Sequence, residues 1–300
     1  MKIAVIGANG QLGSDIVTEC RQTGLEVVGV THDQVEVSCW ESLRDAIVRA
    51  TPDVIVNTAA MHNVEHCERE PLRAFVVNAI GARNLAKIAA EHDAKLLHIS
   101  TDYVFDGNQQ TPYVENDLPV PLNVYGNTKL AGEAFVRTIT PKHFVVRTSA
   151  LYGTHPCRAK AGNNFVELML KLARERDEVR VIQDEVVSPT GTAELAKQVI
   201  AIIRTDCYGL YHATAESSCT WYEFAQAIFE LSGTCANLKP ARHNEFPAKV
   251  PRPKYSVLEN RALKQIGINT MPGWHDCLRN YLERKGLLQV MVDQSNPMMV

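Results

Sequence analysis

A tyrosine and a lysine stand four positions apart in NVYGNTKLAGE, residues 123 to 133, and one helical turn would bring Tyr125 and Lys129 onto a single face. A phenol beside an ammonium is a usable proton donor, because the positive charge favours the phenolate. Lys129 is therefore expected to draw the Tyr125 pKa down from about 10 toward neutrality. With nine tyrosines in the chain, such a spacing arises by chance about one time in three, so its surroundings decide its meaning. The pair follows PVPLN, a Pro-rich turn that opens a helix. A second group of polar atoms lies in HISTDYVFDG (98 to 107), where an apolar run ends on Ser100 and Thr101. Hydroxyls at the carboxyl end of a parallel strand can hold a substrate oxygen that Tyr125 protonates, although a Ser-Thr-Asp strand exit also serves as a plain turn or cap.

These groups need a scaffold, and the chain supplies a regular one. Apolar runs at 2 to 7, 25 to 30, 53 to 60, 95 to 100, 143 to 149 and 179 to 183 lack polar alternation, as strands covered on both faces do. Helical patterns at 11 to 23, 71 to 92, 125 to 138, 163 to 176 and 192 to 204 separate them, which predicts an α/β fold, a Rossmann-like doubly wound parallel sheet. The last third differs. Residues 217 to 233 read as a capped amphipathic helix, 238 to 256 are Pro-rich and basic, and the final nine residues read as a loose tail. The expected division is a dinucleotide-binding domain over 1–155 plus about 179–215, and a smaller C-terminal α/β substrate lobe over about 156–178 and 216–300.

GANGQLG places Gly7, Gly10 and Gly13 after the first strand and at the start of the first helix, where backbone N–H groups and close approach suit a pyrophosphate. A dinucleotide is the first expected ligand. At the end of the second strand, VVGVTHD offers His32 to a 2′-phosphate and Asp33 against it, with no Arg or Lys nearby; this leans toward NADPH, with NADH as the alternative. The 300 residues carry 31 basic and 34 acidic side chains without a long run of either sign, which argues against a nucleic-acid or membrane-surface partner. No apolar run approaches the ~20 residues of a membrane span, no cleavage-site pattern follows the opening residues, and the eight cysteines show no metal-like spacing. A cytoplasmic protein with reduced thiols, no metal ligand set and a small-molecule partner is expected.

DVIVNTAA, STDYVFDG, PLNVYGNTKLAGE, AGNNFVELMLKLA, SPTGTAELA and PRPKYSVLEN, in this order, resemble the extended short-chain dehydrogenase/reductases and, within them, the dTDP-4-dehydrorhamnose reductase family. The resemblance implies NAD(P)H-dependent reduction of a C4 ketone on a dTDP-linked 4-keto-6-deoxy-L-hexose, giving dTDP-L-rhamnose for polysaccharide synthesis. It implies Tyr125, Lys129 and Thr101 as catalytic residues, with the cofactor held by Gly7, Asn9, Gly10, Gln11, Leu12, Glu36, Val37, Ala59, Ala60, Met61, Asn78, Ser100, Tyr125 and Lys129. The dTDP-sugar would meet Tyr103, Val104, Phe105, Asn163, Asn164, Phe165 and Arg252, and the family adds Mg2+ and a homodimer as expectations. Ala150 stands where such proteins carry an aromatic, Met61 and His62 stand beside the expected nicotinamide, and THPCRAKA lengthens the loop at 154 to 161. Other readings share the glycine turn and the Tyr-Lys pair: a sugar-nucleotide epimerase or dehydratase, and a non-catalytic dinucleotide-binding regulatory subunit.

Overall fold

A computed structural model describes residues 1–156, 162–246 and 250–289. Five of the apolar runs become strands β1 (Lys2–Ile6), β2 (Glu26–Val30), β3 (Val54–Asn57), β4 (Lys95–Thr101) and β5 (His143–Thr148). Between them run α1 (Gln11–Gln22), α2 (Trp40–Ala50), α3 (Val64–Arg69), α4 (Pro71–Phe75), α5 (Gly81–Glu91) and α6 (Val124–Ile139). The helical pattern at 71 to 92 is one continuous rod whose middle, Val76–Ile80, widens into a π-turn. Successive side chains of a strand face opposite ways. Ile3, Val5, Val54 and Val56 accordingly pack against Leu12 and Ile16 of α1, whereas Ala4, Ile6 and Ile55 meet Leu43 and Ile47 of α2 and Leu85 and Ile88 of α5. Burial on both faces is why these runs are apolar throughout; each enclosed Val, Leu or Ile contributes about 1.5–3 kcal/mol.

The chain then leaves the sheet through β6 (Leu151–Tyr152), α7 (Phe165–Glu175), β7 (Val179–Ile182), β8 (Val186–Val187) and β9 (Thr190–Gly191). It returns through α8 (Thr192–Ile203) to β10 (Gly209–His212), and closes with β11 (Cys219–Thr220), α9 (Trp221–Ser232), β12 (Leu238–Ala241), α10 (Arg261–Gln265) and α11 (Trp274–Arg284). The six-stranded order is β10-β5-β4-β3-β1-β2, and every pairing within it is parallel. The direction of winding reverses between β1 and β3, the place where doubly wound sheets open a crevice for ligands.

One strand expected in this sheet lies elsewhere. Residues 179 to 182 pair with β12, and their inward side chains Val179 and Val181 join Phe224, Ile228 and Leu278 in the core of the smaller lobe. The sixth strand of the large sheet is GLYH, whose four residues include a glycine and carry too weak a pattern to be read as a strand. The residues after 289, and 157–161 within the THPCRAKA stretch, lie outside the described residues.

Candidate active site

At the switch point the glycine turn lies against the end of β3. Gly7 has φ +82, and a Cβ on it would fall 2.8 Å from Thr58 Oγ1 and 3.1 Å from the Ala59 nitrogen. A Cβ on Gly13 would meet the Gly7 carbonyl group, with the carbonyl carbon at 2.9 Å. Helix α1 starts at Gly10 without a side-chain cap and without an acid in its first turn, whereas α6, α7 and α9 are capped by Asn123, Asn164 and Thr220. Uncapped N–H groups at a glycine-lined helix start suit a phosphate group. Gln11 secures the neighbouring loop by donating to the Gly153 and His155 carbonyls at 3.2 and 2.9 Å. Beyond β3, Ala59, Ala60 and Met61 are half-buried, and Asn78, on the π-turn, fixes Met61 by bonds to its N–H (2.8 Å) and carbonyl (2.9 Å). Asn78 also donates to Thr128 on α6, joining the cofactor side of the crevice to the Tyr-Lys helix.

Tyr125 lies in the first turn of α6, which Asn123 caps by accepting from the Gly126 N–H at 2.9 Å. The Thr101 hydroxyl approaches the phenol and lowers its pKa, but burial has the larger effect and raises it, helped by Asp102. Lys129 does not depress it as expected. The ammonium turns inward, donating to the Ile99 carbonyl at 2.6 Å and lying 3.4 Å from His98 Nε2. Burial brings its own pKa down to about 8, against the raising influence of Glu133. Thr101 gives its proton to Asp102 Oδ1 at 3.0 Å and accepts from the Tyr103 N–H at 3.2 Å. Asp102 is enclosed, receives Ser149 Oγ at 2.8 Å, and has its pKa raised by burial.

Several expected contacts are made by the fold and not by an open cleft. Ser100 faces the opposite side of β4 from Thr101 and donates to Glu133 at 2.5 Å. Val104 and Phe105 are fully buried; Phe105 stacks on Tyr113 at 4.2 Å, so neither side chain presents a surface to a sugar. Asn164 caps α7 and donates to the Gly153 carbonyl and the Tyr281 hydroxyl, a structural use of every polar atom it has. Leu12 and Val37 belong to the two sheet cores, leaving only their backbones for a cofactor. Glu36 lies 3.7 Å from His32 beyond β2. Asn163 and Phe165 remain half-buried, Phe165 packing on Trp221 at 4.6 Å.

On the sugar side, Tyr103 meets Tyr125 edge to face, with ring centroids 5.9 Å apart. Arg252 is ion-paired with Glu65 of α3 and keeps about 39% of its side chain exposed. Glu185, which has no motif around it, also faces this cation: burial raises its pKa, while Arg252 and the Trp221 side chain lower it. His98 and Asn57 were likewise hidden within apolar runs, and only the sheet register, which sets Asn57 level with His98, brings them to Lys129. Ala150 adopts φ +47, a left-handed conformation that is strained for any residue with a Cβ, directly before β6. Among the described residues no group of three or more His, Cys, Asp or Glu could hold a metal ion, so the Mg2+ implied by resemblance finds no ligand set there. No described helix is long and apolar enough to cross a membrane.

Comparison with known proteins finds relatives of the same fold over nearly the whole chain. The chain is 39% identical over 284 residues to the spore coat polysaccharide biosynthesis protein SpsK of Bacillus subtilis, covering 95% of this chain and 98% of that one. The crystal structure of a dTDP-4-dehydrorhamnose reductase from Clostridium acetobutylicum superposes with a TM-score of 0.91 at 38% identity, over 95% of this chain and 100% of that one. The dTDP-4-dehydrorhamnose reductase of Bacillus anthracis, solved in complex with NADP, gives 0.89 at 37% identity, over 94% and 99%. Residues 1–286 match the family described as the RmlD substrate binding domain, and the chain belongs to that family.

Proposed function

We propose that this protein reduces the C4 ketone of dTDP-4-dehydro-6-deoxy-L-mannose to dTDP-L-rhamnose with NADPH. The observation that carries the reading is the approach of Thr101 to Tyr125, with Lys129 buried on the next turn of α6, in a fold whose glycine-turn helix at the sheet's switch point is uncapped. The relatives named as dTDP-4-dehydrorhamnose reductases, one of them holding NADP, supply the substrate and cofactor. The turn at Gly7, Gly10 and Gly13 would hold the pyrophosphate, and Ala59, Ala60 and Met61 would border the nicotinamide ribose. When bound, the reduced nicotinamide supplies a hydride to the ketone carbon.

The protein's own work is on the oxygen. Negative charge develops there as the carbonyl is reduced, and it must be hydrogen-bonded and then protonated. Tyr125 is the proton donor. A phenol whose pKa is raised by burial stays protonated until charge forms beside it, which is the state a donor needs. The Thr101 hydroxyl, rotating off Asp102, holds the same oxygen. Lys129, one helical turn further along α6, carries the positive charge that would favour the phenolate left after transfer. Arg252, shared between Glu65 and Glu185, is the guanidinium suited to the substrate's diphosphate. A reaction that draws on a nucleotide sugar and NADPH suits the cytoplasm, which is the proposed location, and a homodimer is the assembly proposed from the family.

Loss of nicotinamide absorbance in a mixture of protein, NADPH and the enzymatically generated keto sugar tests the reading, with dTDP-L-rhamnose as the expected product. Tyr125→Phe is expected to bind NADPH normally and lose 10²–10⁴-fold in turnover. A variant turning over near the parent rate would remove Tyr125 as the donor, and tightly held NAD with no net oxidation would instead indicate an epimerase.

A further inference from the structure

Behind Lys129 lie two buried side chains, Asn57 and His98, that the reaction itself does not require. Asn57 ends β3, His98 stands beside it on β4, and Lys129 reaches down from α6; all three are at most 3% exposed. Asn57 Nδ2 lies 2.9 Å from His98 Nδ1, and His98 Nε2 lies 3.4 Å from Lys129 Nζ. The close approach of α6 depends on Gly132, where a Cβ would sit 2.6 Å from the Asn78 carbonyl oxygen and 3.3 Å from His98 Nε2.

The donors and acceptors of these side chains can be counted. The Ala59 N–H donates to Asn57 Oδ1 at 3.1 Å, which fixes the orientation of the amide and turns its NH2 toward His98. An NH2 group can only donate, so His98 Nδ1 must carry the lone pair. Burial, and then the neighbouring Lys129 charge, keep the imidazole neutral, which leaves its single proton on Nε2. That N–H points at Lys129 Nζ. An ammonium has no lone pair to receive it, whereas a neutral amine does. All bonds among these side chains are satisfied only when Lys129 has given up a proton.

The geometry points to His98 as a positioning residue: oriented by Asn57, it presents Nε2–H to Lys129, favours the neutral amine, and so sets the pH below which Lys129 carries the positive charge that the phenolate needs. This rests on Tyr125 and Lys129 acting as proposed above. In balanced form, the Tyr125 O–H bond breaks and its proton goes to the substrate oxygen. A proton from solvent then restores the phenol. Besides His98, the titratable and charged groups packed around Lys129 and its phenol are Tyr125 and Glu133 on α6, Asp102 and Tyr103 following β4, Cys67 on α3 and Arg147 on β5. Of these, Glu133 opposes the effect of His98 by favouring the ammonium.

Imidazole 15N spectra of the whole protein near pH 7 read the tautomer directly and do not depend on turnover. Nδ1 is expected to be the pyridine-like nitrogen of His98; a pyridine-like Nε2, or a doubly protonated ring, overturns the proposal. The pH profile of kcat reads the consequence. Asn57→Leu frees Nδ1 to take the proton, turns Nε2 into an acceptor for the ammonium, and is expected to move the Lys129 ionisation up by about one pH unit. In a His98→Phe background the same substitution should move it by nothing. An equal shift in both backgrounds, or none in either, overturns the role of His98. Lys129→Met separates the two readings, because if it leaves the profile unchanged the assignment of Lys129 itself has failed.

Discussion

Glu133→Ala is the most exacting test of the physics beneath the site. Glu133 and Arg147 face each other between α6 and β5 with side chains 1% and 2% exposed, joined by two hydrogen bonds of 2.9 and 2.7 Å, and Ser100 completes the carboxylate. The guanidinium also lies over the Phe105 ring, 5.1 Å from its centroid. Removing the carboxylate leaves the enclosed Arg147 guanidinium without its ion-pair partner. Such a loss costs about 3–5 kcal/mol, a large share of the 5–15 kcal/mol that holds a typical fold. With a urea slope of about 3 kcal/mol per molar for a chain of this size, the unfolding midpoint should fall by about 1–1.7 M. The double variant Glu133→Leu with Arg147→Met, which removes both charges and keeps the volume, should recover most of that loss, because the pair as a whole contributes little beyond well-packed apolar groups. Urea titration followed by circular dichroism decides the matter. If Glu133→Ala unfolds within 0.3 M of the parent, or if the double variant is as weak as the single one, the buried charge is not what makes the site sensitive.

Lys129 offers a trade between stability and activity. Its pKa falls from 10.5 unfolded to about 8 folded, so between those values the unfolded chain binds more protons and stability rises with pH. Lys129→Met should abolish that rise in a pH series of denaturant titrations and stabilise the fold at pH 7 by roughly 3 kcal/mol while removing turnover; a less stable Lys129→Met contradicts the sign. Gly13→Ala pushes a methyl group into the Gly7 carbonyl, where backbone cannot yield, and should weaken NADPH binding at least tenfold by fluorescence titration with little change in the sheet's circular dichroism. Arg252→Ala should raise the KM for the dTDP-sugar far more than that for NADPH in steady-state kinetics, since the guanidinium lies beside Tyr103 and Glu185, away from the glycine turn; equal effects on both would refute its role.

The glycine turn and the Tyr125–Lys129 spacing were legible because each is a local device: a backbone approach that only glycine permits and a single helical turn. The large sheet was legible because burial on two faces leaves an unbroken apolar run. What stayed hidden depends on which way a side chain faces once strands are paired. Ser100 and Thr101 look equivalent in the sequence, yet one turns to Glu133 and the other to the phenol. VRVI carries as strong a strand pattern as the true sheet members, and only its partnership with β12 puts it in the smaller lobe. Asn164 and Phe105 sit in motifs that suggest a pocket but serve a helix cap and a stacked core. The rise in Tyr125's pKa was not legible either, since spacing shows a neighbouring charge but not how much water is excluded around it.

The departure of the chain from the sheet after β5, and its return at β10, has a consequence for synthesis. The large sheet lacks its edge strand until residue 212 has been made, and by then β7 has already emerged without β12, which begins at Leu238. Each unit waits on a strand that lies beyond a stretch of the other. A nascent chain released between residues 182 and 209 therefore holds a nearly finished sheet and an open lobe edge, and no single cut of the gene divides the protein into two halves that each contain a complete unit.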